Sequence, residues 1–339
     1  MYKEDIFKAN KDLNEKEIKE GKIILNSKPT ILMLSLSPKC NLKCIMCPRP
    51  DSDYVLPYEI LEKIYYLFPY LELINWTGGE VFLVDYFKKL FLKTSLYPNI
   101  HHEITTNGLL IDEEWAEILV NNNVSLTYSI DSVKKETYEY IRNKARYEDL
   151  IKSIELINKY KKKYNSKIKL TINVVVMKFN YKELHLFPEF CKKYNFEQLR
   201  FEYLRPVINP EQDIFTVRKN PEAIEYLRNI MPYIEDECKR LKIELNSSIR
   251  IFLNNNSENL GDHYNFIYNC KLPWKKLLID AGAMGRITPD CLCPYPLGNI
   301  FENTIEEVWN NEVMQLYRKN IINKSSQNWC SSACSVYER

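Results

Sequence analysis

Glycine is scarce in this chain: eight residues in 339, where average usage is roughly 7%. Each of them (Gly21, Gly78, Gly79, Gly108, Gly261, Gly282, Gly285 and Gly298) therefore asks for a local reason. Long apolar runs are absent, and none approaches the roughly 18 residues of a membrane helix. The N-terminal string MYKEDIFKANKDLNEKEIKEGK has no apolar stretch, which argues against a secretory signal. Neither sign of charge dominates: 47 Lys and Arg against 45 Asp and Glu give a net +2. Charge thus offers no argument for a nucleic-acid partner. No fixed-period repeat or low-complexity tract occurs, and the Lys-rich stretch 159–167 reads as a solvated helix end. The chain is 45% apolar and 13% aromatic, too hydrophobic to be disordered. Its length suggests about two domains, with cores that need no disulfides. The expectation is a cytoplasmic protein without membrane or nucleic-acid contacts.

Cysteine, by contrast, is plentiful and clustered. Of the ten, Cys40, Cys44 and Cys47 share one short stretch, and Cys270, Cys291, Cys293, Cys330 and Cys334 lie toward the C-terminus. Only Cys191 and Cys238 stand alone, each in a helical pattern where a thiol serves as a small buried hydrophobe. In a reducing compartment, clustered thiols point to metal or redox work rather than disulfides.

Between residues 30 and 208, short runs rich in β-branched and aromatic residues alternate with helical stretches. The predicted strands are Thr30–Leu36, Leu73–Trp76, His102–Thr106, Ser125–Ile130, Lys169–Val176 and Leu199–Tyr203. Ile60, Ile64, Leu67 and Phe68 share one helical face, and Ile151, Ile154, Leu156 and Ile157 populate another. Pro57 suits a first helical turn, and Asp112 suits an N-cap. Strand–helix repetition without hairpin signals predicts a parallel α/β sheet, and six units suit an open partial barrel rather than a closed eight-stranded one. After Pro206 the pattern changes. Residues 209–262 read as a helical linker, with a helix over 220–241 between two polar loops. Residues 263–339 are compact and thiol-rich, and residues 1–29 form an N-terminal extension.

Cys40-x3-Cys44-x2-Cys47 follows the first strand directly, at the carboxyl edge where α/β sheets bind ligands. Three thiolates can hold three irons of a 4Fe–4S cube and leave the fourth open. An open position is the mark of chemistry rather than scaffolding. A zinc site lacking its fourth ligand is the plainer alternative. Gly78-Gly79-Glu80 closes the second strand. Two glycines admit a ligand close to the backbone, and Glu80 could accept from an ammonium or simply mark a helix start. Thr105-Thr106-Asn107-Gly108 ends the third strand. Ser129-Ile130-Asp131 ends the fourth, where both polar residues could equally cap the next helix. Arg142 could lie on a solvated helix face.

With these motifs in register over roughly residues 30–205, the sequence resembles the radical SAM superfamily. The resemblance implies that Cys40, Cys44 and Cys47 hold the catalytic 4Fe–4S cluster, with Met46 as the apolar residue before the last ligand. It implies that Gly78, Gly79 and Glu80 receive the amine of S-adenosylmethionine (SAM), and that Asn107 belongs to the same site. Ser129 and Asp131 would lie near the ribose, Arg142 would pair with the carboxylate, and Val174–Met177 would run along the adenine. Val81 stands where relatives often carry proline.

In the second cluster, Cys270 precedes a predicted hairpin, Lys276–Ile279 and Arg286–Thr288 about a glycine-containing turn. A helix follows, capped near Asn303 or Thr304 with a Glu three residues on. Four thiolates suffice for one fully ligated 4Fe–4S cluster, and Cys270, Cys291, Cys330 and Cys334 fit best. Cys293 shares a face with Cys291 on an extended segment, so either could be the second ligand. A four-thiolate zinc knuckle is the alternative. The region resembles the SPASM or twitch auxiliary-cluster domains of many radical SAM enzymes through Pro273-Trp274, Leu297–Ile300, Glu307-Val308-Trp309 and the terminal cysteine pair. Five cysteines support one auxiliary 4Fe–4S cluster.

The expected architecture is thus α/β: a partial (β/α)6 TIM-like barrel with a small C-terminal α+β iron–sulfur cluster domain. The resemblance implies an oxidoreductase that reductively cleaves SAM to a 5′-deoxyadenosyl radical, which takes a hydrogen atom from a substrate. An external donor such as flavodoxin or ferredoxin would supply the electron. Relatives act on peptides and protein side chains, or on small alcohols and sugars. About thirty residues precede the first strand, fewer than a small domain needs, so a peptide-recognition module is expected on a separate chain. A peptide or protein side chain is the first reading of the substrate. A small-molecule dehydrogenase, acting on an amino-sugar or alcohol, is the second. A non-catalytic cluster-binding protein is the remote third. The sequence names no acid or base residue.

Overall fold

The computed structural model describes residues 3–48, 52–205, 207–253, 270–325 and 329–330. The chain forms two compact units. The first comprises Met1–Lys39, Arg49–Glu103 and Asn259–Arg339, the second Cys40–Pro48 and Ile104–Glu258.

In the first unit, β1 (Ile31–Ser35) lies between β2 (Leu73–Thr77) and β8 (Lys276–Asp280), parallel to both. Leu32 and Leu34 of β1 and Ile74 and Trp76 of β2 are buried in alternation with half-buried neighbours, the period of two that a strand imposes. β8 turns back as β9 (Arg286–Thr288), and β10 (Gly298–Asn299) adds to it, both pairings antiparallel. The predicted hairpin is therefore present. At its turn the Asp280 carboxylate accepts the Gly282 N–H at 2.9 Å. The stretch expected to be an α-helix opening at Pro57 is instead a 3₁₀ helix, Tyr58–Tyr70. Leu61, Ile64 and Leu67 are buried at intervals of three, the 3₁₀ repeat, so Leu61 takes the place expected for Ile60. α2 (Phe87–Ser95) follows β2.

The N-terminal extension is bonded into this unit. α1 (Lys3–Lys19) carries Asn14, which donates to the Trp274 carbonyl at 2.7 Å, and buried Glu17, which accepts from the Asn26 N–H at 2.8 Å and the Ser27 hydroxyl at 2.7 Å. Arg318 is wholly buried and donates to the carbonyls of Ile23, Pro273 and Trp309 and to Asn310 Oδ1. A buried guanidinium needs such a set of acceptors to offset its desolvation.

β3 (His101–Thr106) carries the division between the units. In the second unit β4 (Val124–Ser129), β5 (Lys169–Val176), β6 (Gln198–Tyr203) and β7 (Glu244–Ser247) pair in that order, all parallel. α3 (Glu113–Val120) opens at Asp112, whose carboxylate accepts the Trp115 N–H at 2.8 Å as expected of an N-cap. α4 (Lys135–Ile141) and α5 (Tyr147–Lys163) separate β4 from β5, and α5 ends in exposed lysines. α6 (Phe187–Lys193) precedes β6. Residues expected as a helical linker supply α7 (Pro221–Leu241), capped by Asn220, and β7, which extends the ladder on β6. Residues 254–262, the polar loop expected next, lie outside the described residues. Cys191 in α6 and Cys238 in α7 are buried. Among the described residues no helix is long and apolar enough to cross a membrane.

Candidate active site

The first cysteine cluster sits in the second unit on a loop held from several sides. The N–H groups of Lys43 and Ile45, which flank Cys44, donate to the carbonyls of Asn143 and Ile141, each at 3.0 Å. The Cys47 N–H donates to the Cys44 carbonyl at 3.1 Å and closes a turn. Met46 packs with Ile141, Met177 and Leu204 in one buried cluster. This is a physical reason for an apolar residue at that position: it anchors the loop, and Cys44 packs against the same cluster. Cys40 is exposed, while Cys44 and Cys47 are half-buried. The Leu42 N–H donates to Cys40 Sγ at 3.4 Å. Three thiols on one ordered loop, with an amide already directed at one sulfur, suit three corners of a 4Fe–4S cube. Among the described residues no three Cys, His, Asp or Glu side chains converge as they would around one metal ion.

Asn107 belongs to this loop's support. It is buried, its Nδ2 donates to Asn41 Oδ1 at 2.8 Å and lies 3.9 Å from Cys40 Sγ, and its Oδ1 accepts the Leu109 N–H at 3.0 Å. The residue expected at the SAM site is thus bonded to the loop that carries Cys40.

Asp131 and Arg142 form a buried ion pair, with Arg142 Nη2 2.7 Å from Asp131 Oδ2. The other carboxylate oxygen accepts the Val175 N–H at 2.8 Å. Arg142 Nη1 lies 3.9 Å from Cys44 Sγ. Neither plain alternative describes them. Asp131 does not cap α4, which begins after Lys134, and Arg142 ends that helix buried rather than solvated. Asp131 thus faces Arg142 with one oxygen and the β5 backbone with the other. Burial pushes the Asp131 carboxyl up against the pull of Arg142. Burial opposes the Arg142 charge, and Asp131 outweighs it, so the guanidinium stays charged. Burial pushes the Cys44 thiol up to about 11, with Arg142 pulling the other way. A metal bound there would displace the thiol proton.

Sequence reasoning missed Asn180. It is wholly buried, its Nδ2 donates to the carbonyls of Asp131 and Val175 at 2.8 Å each, and its Oδ1 accepts the Met177 N–H at 2.7 Å. It ties the ends of β4 and β5 together, a role set by strand pairing that no local motif announces. Ser129 is half-buried at the end of β4, opposite Asn173. Val174, Val176 and Met177 are buried, and Val175 is half-buried.

Gly78, Gly79 and Glu80 lie in the first unit at the end of β2. The Gly79 N–H donates to the Ser37 carbonyl at 2.7 Å, and the Glu80 N–H to the Lys39 carbonyl at 2.8 Å. A Cβ on Gly79 would stand 1.9 Å from the Lys39 oxygen and 2.3 Å from the Pro38 oxygen. Glycine is thus required for the close approach of this backbone to the segment that runs into Cys40. Glu80 is buried and its Oε1 accepts the Phe82 N–H at 3.5 Å, heading the short 3₁₀ turn Val81–Leu83. Capping is therefore one of its roles.

The C-terminal cysteines also lie in the first unit. Buried Lys276 and Asp290 pair at 2.5 Å, Cys291 Sγ donates to Asp290 Oδ1 at 3.1 Å, and the Cys293 N–H donates to the Asp290 carbonyl at 3.1 Å. The Trp329 ring lies 4.5 Å from Tyr295 and 5.3 Å from Tyr317, which places Cys330 beside that aromatic pair. Burial, then the charges of Cys293 and Cys330, push the Tyr317 phenol up. Cys293 and Cys330 are half-buried, while Cys291 is exposed. Cys270 is half-buried, and Cys334 lies outside the described residues. Thr304 caps the following helix, Ile305–Trp309, in a reciprocal box with Glu307, as predicted.

Comparison with known proteins covers both clusters. The model of the radical SAM superfamily matches residues 34–191, and the model of the SPASM iron–sulfur cluster-binding domain matches residues 270–335. A cysteine-type anaerobic sulfatase-maturating enzyme of Clostridium novyi is 24% identical, over 90% of this chain and 87% of its own. The antilisterial bacteriocin subtilosin biosynthesis protein AlbA of Bacillus subtilis is 24% identical, over 84% of this chain and 60% of its own. Among solved structures, Streptococcus suis SuiB bound to precursor peptide SuiA superposes with a TM-score of 0.66 at 20% identity, over 90% of this chain and 69% of that one. The fold is accordingly the radical SAM α/β fold with a C-terminal SPASM domain. With one cysteine cluster inside each matched segment, the chain carries a radical SAM domain and a SPASM domain and is an enzyme with 4Fe–4S clusters and SAM for cofactors.

Proposed function

We propose that this enzyme modifies a side chain of a peptide or protein. The observation that carries this is the 24% identity, across 90% of the chain, to a sulfatase-maturating enzyme. That match spans most of both chains, so it is not confined to the cofactor fold. SAM bound at the reduced cluster supplies a 5′-deoxyadenosyl radical that takes a hydrogen atom from the substrate. Cys40, Cys44 and Cys47 hold that cluster on the pinned loop. Gly78 and Gly79 bring the backbone close to the methionine amine, and the buried Glu80 carboxylate accepts from it. Ser129 and Val174–Met177 border the ribose and adenine. Cys270, Cys330 and Cys334, with Cys293 or Cys291, hold an auxiliary cluster that passes an electron on. A flavodoxin or ferredoxin in a reducing cytoplasm serves as the external donor. The test is anaerobic incubation with SAM, a reductant and deuterated candidate substrates. Deuterium in 5′-deoxyadenosine from a peptide supports the reading. Deuterium from an amino-sugar or alcohol and from no peptide would replace it with the small-molecule dehydrogenase.

A further inference from the structure

We propose that the buried Asp131–Arg142 pair is a positioning and charge-setting device that raises the reduction potential of the cluster held by Cys40, Cys44 and Cys47. This rests on the reading of those cysteines as ligands. The geometry is specific. Lys43 and Ile45, on either side of Cys44, donate to Asn143 and Ile141, on either side of Arg142. Cys44 and Arg142 are thereby held across from one another by two backbone hydrogen bonds. The Arg142 N–H donates to the Tyr138 carbonyl at 2.8 Å, fixing the residue to the last turn of α4. Nη2 is taken by Asp131 at 2.7 Å, and Nη1 lies 3.9 Å from Cys44 Sγ. Asp131 is itself fixed by the Val175 N–H, and the pair is almost fully buried.

A cation so placed acts on the charge of the cluster. Reduction adds one electron, and a fixed positive charge beside a ligand sulfur favours the more negative, reduced form. Net charge and hydrogen bonding to sulfur are among the protein's means of setting such potentials. Burial keeps water from screening the effect. Asp131 has two consequences. It fixes the direction of the guanidinium, and its own charge moderates the field from further away.

The test is a redox titration of the holoprotein without SAM, following the electron-paramagnetic signal of the cluster that SAM perturbs. Arg142→Gln is expected to lower the midpoint potential, Arg142→Lys to hold it near the original, and Asp131→Asn to raise it by a smaller amount. A purely structural role would not produce shifts of opposite sign. Because Arg142→Gln leaves a buried carboxylate unpaired, the double variant Asp131→Asn/Arg142→Gln provides a neutral pair of similar shape. Its potential is expected between those of the two single variants. Shifts of the same sign, or an unchanged potential with SAM affinity reduced tenfold or more in Arg142→Gln, would overturn the proposal. The second result would return Arg142 to the SAM carboxylate. The ligand reading has a separate check: if Cys40, Cys44 and Cys47 were all changed to Ala and no iron were lost, that reading would fall and this inference with it.

Discussion

The two cysteine clusters are built in opposite ways. The first takes its three thiols from one loop, and the surrounding structure orders that loop independently of any metal. Asn107 grips Asn41, the tail of α4 accepts from both neighbours of Cys44, and Met46 is sunk in a buried cluster. The second draws its thiols from three separate stretches of chain. Among the described residues, the devices beside them include the Asp290 turn and the packing of Trp329 on Tyr295 and Tyr317. A site that must keep one iron open for a ligand needs its other three corners fixed beforehand. A site closed by four protein ligands can let the cluster itself complete the fold. Preorganisation thus follows the chemistry, and the following changes probe that contrast.

The largest effect is expected at the first loop. Changing Cys40, Cys44 and Cys47 together to Ala should reduce the iron of anaerobically reconstituted protein from about eight to about four per chain and abolish SAM cleavage. Iron assay and 5′-deoxyadenosine release check both. Gly79→Ala comes next. Its new methyl would press on the Lys39 and Pro38 carbonyls, and overpacking of this kind costs roughly 1–3 kcal/mol or more. The melting temperature should fall, and the first cluster should be lost in preference to the second, because the displaced backbone leads directly into Cys40.

At the second cluster, Cys330→Ala combined with Cys334→Ala should leave uncoupled SAM cleavage in place, since the first loop already has its three thiols. Productive turnover should fall much further. Wild-type turnover in this double variant would reduce the auxiliary cluster to a structural clip.

Glu80→Ala is expected to be milder and to act on affinity. Removing a buried charged acceptor costs roughly 1.5–3 kcal/mol, about tenfold to a hundredfold in SAM binding, with iron content unchanged. Calorimetry with SAM reads the first and iron assay the second. The loss of its cap to Phe82 should also lower stability, by roughly 0.5–2 kcal/mol. A fall in stability with no change in SAM affinity would leave Glu80 as a cap alone.

The contrast also explains what the sequence made legible. The CxxxCxxC loop, the glycine pair and the strand ends are local, so their residues could be named from spacing. Lys169–Val176 even has the observed strand limits. Roles set by neighbours distant in sequence were hidden. Asp131 and Arg142 could be picked out, but not their mutual pairing, which depends on how α4 returns to the cysteine loop. Asn180 carried no signal because it serves two strand ends at once. The 3₁₀ segment at 58–70 was misread because its apolar residues satisfy both repeats: Ile64, Leu67 and Phe68 suit an α-helix, and Leu61, Ile64 and Leu67 suit a 3₁₀ helix. The choice between Cys291 and Cys293 was closed to sequence for the same reason. They share a face on an extended segment, and only the position of the distant Trp329-Cys330 segment separates them.

That choice gives the finest test. A four-thiolate site needs one of the two cysteines, and sequence spacing alone favoured Cys291. We propose Cys293 instead. Cys291 is exposed and donates its thiol hydrogen to Asp290, whose charge is held by Lys276. Cys293 is half-buried, as is Cys330. Cys293→Ala should therefore lower the iron count toward that of a one-cluster protein, while Cys291→Ala should leave it nearly intact. The difference should show in the auxiliary signal alone, because the first loop supplies three thiols of its own. Equal iron in the two variants would mean that either thiol can serve, and the reverse order would restore Cys291 as the ligand.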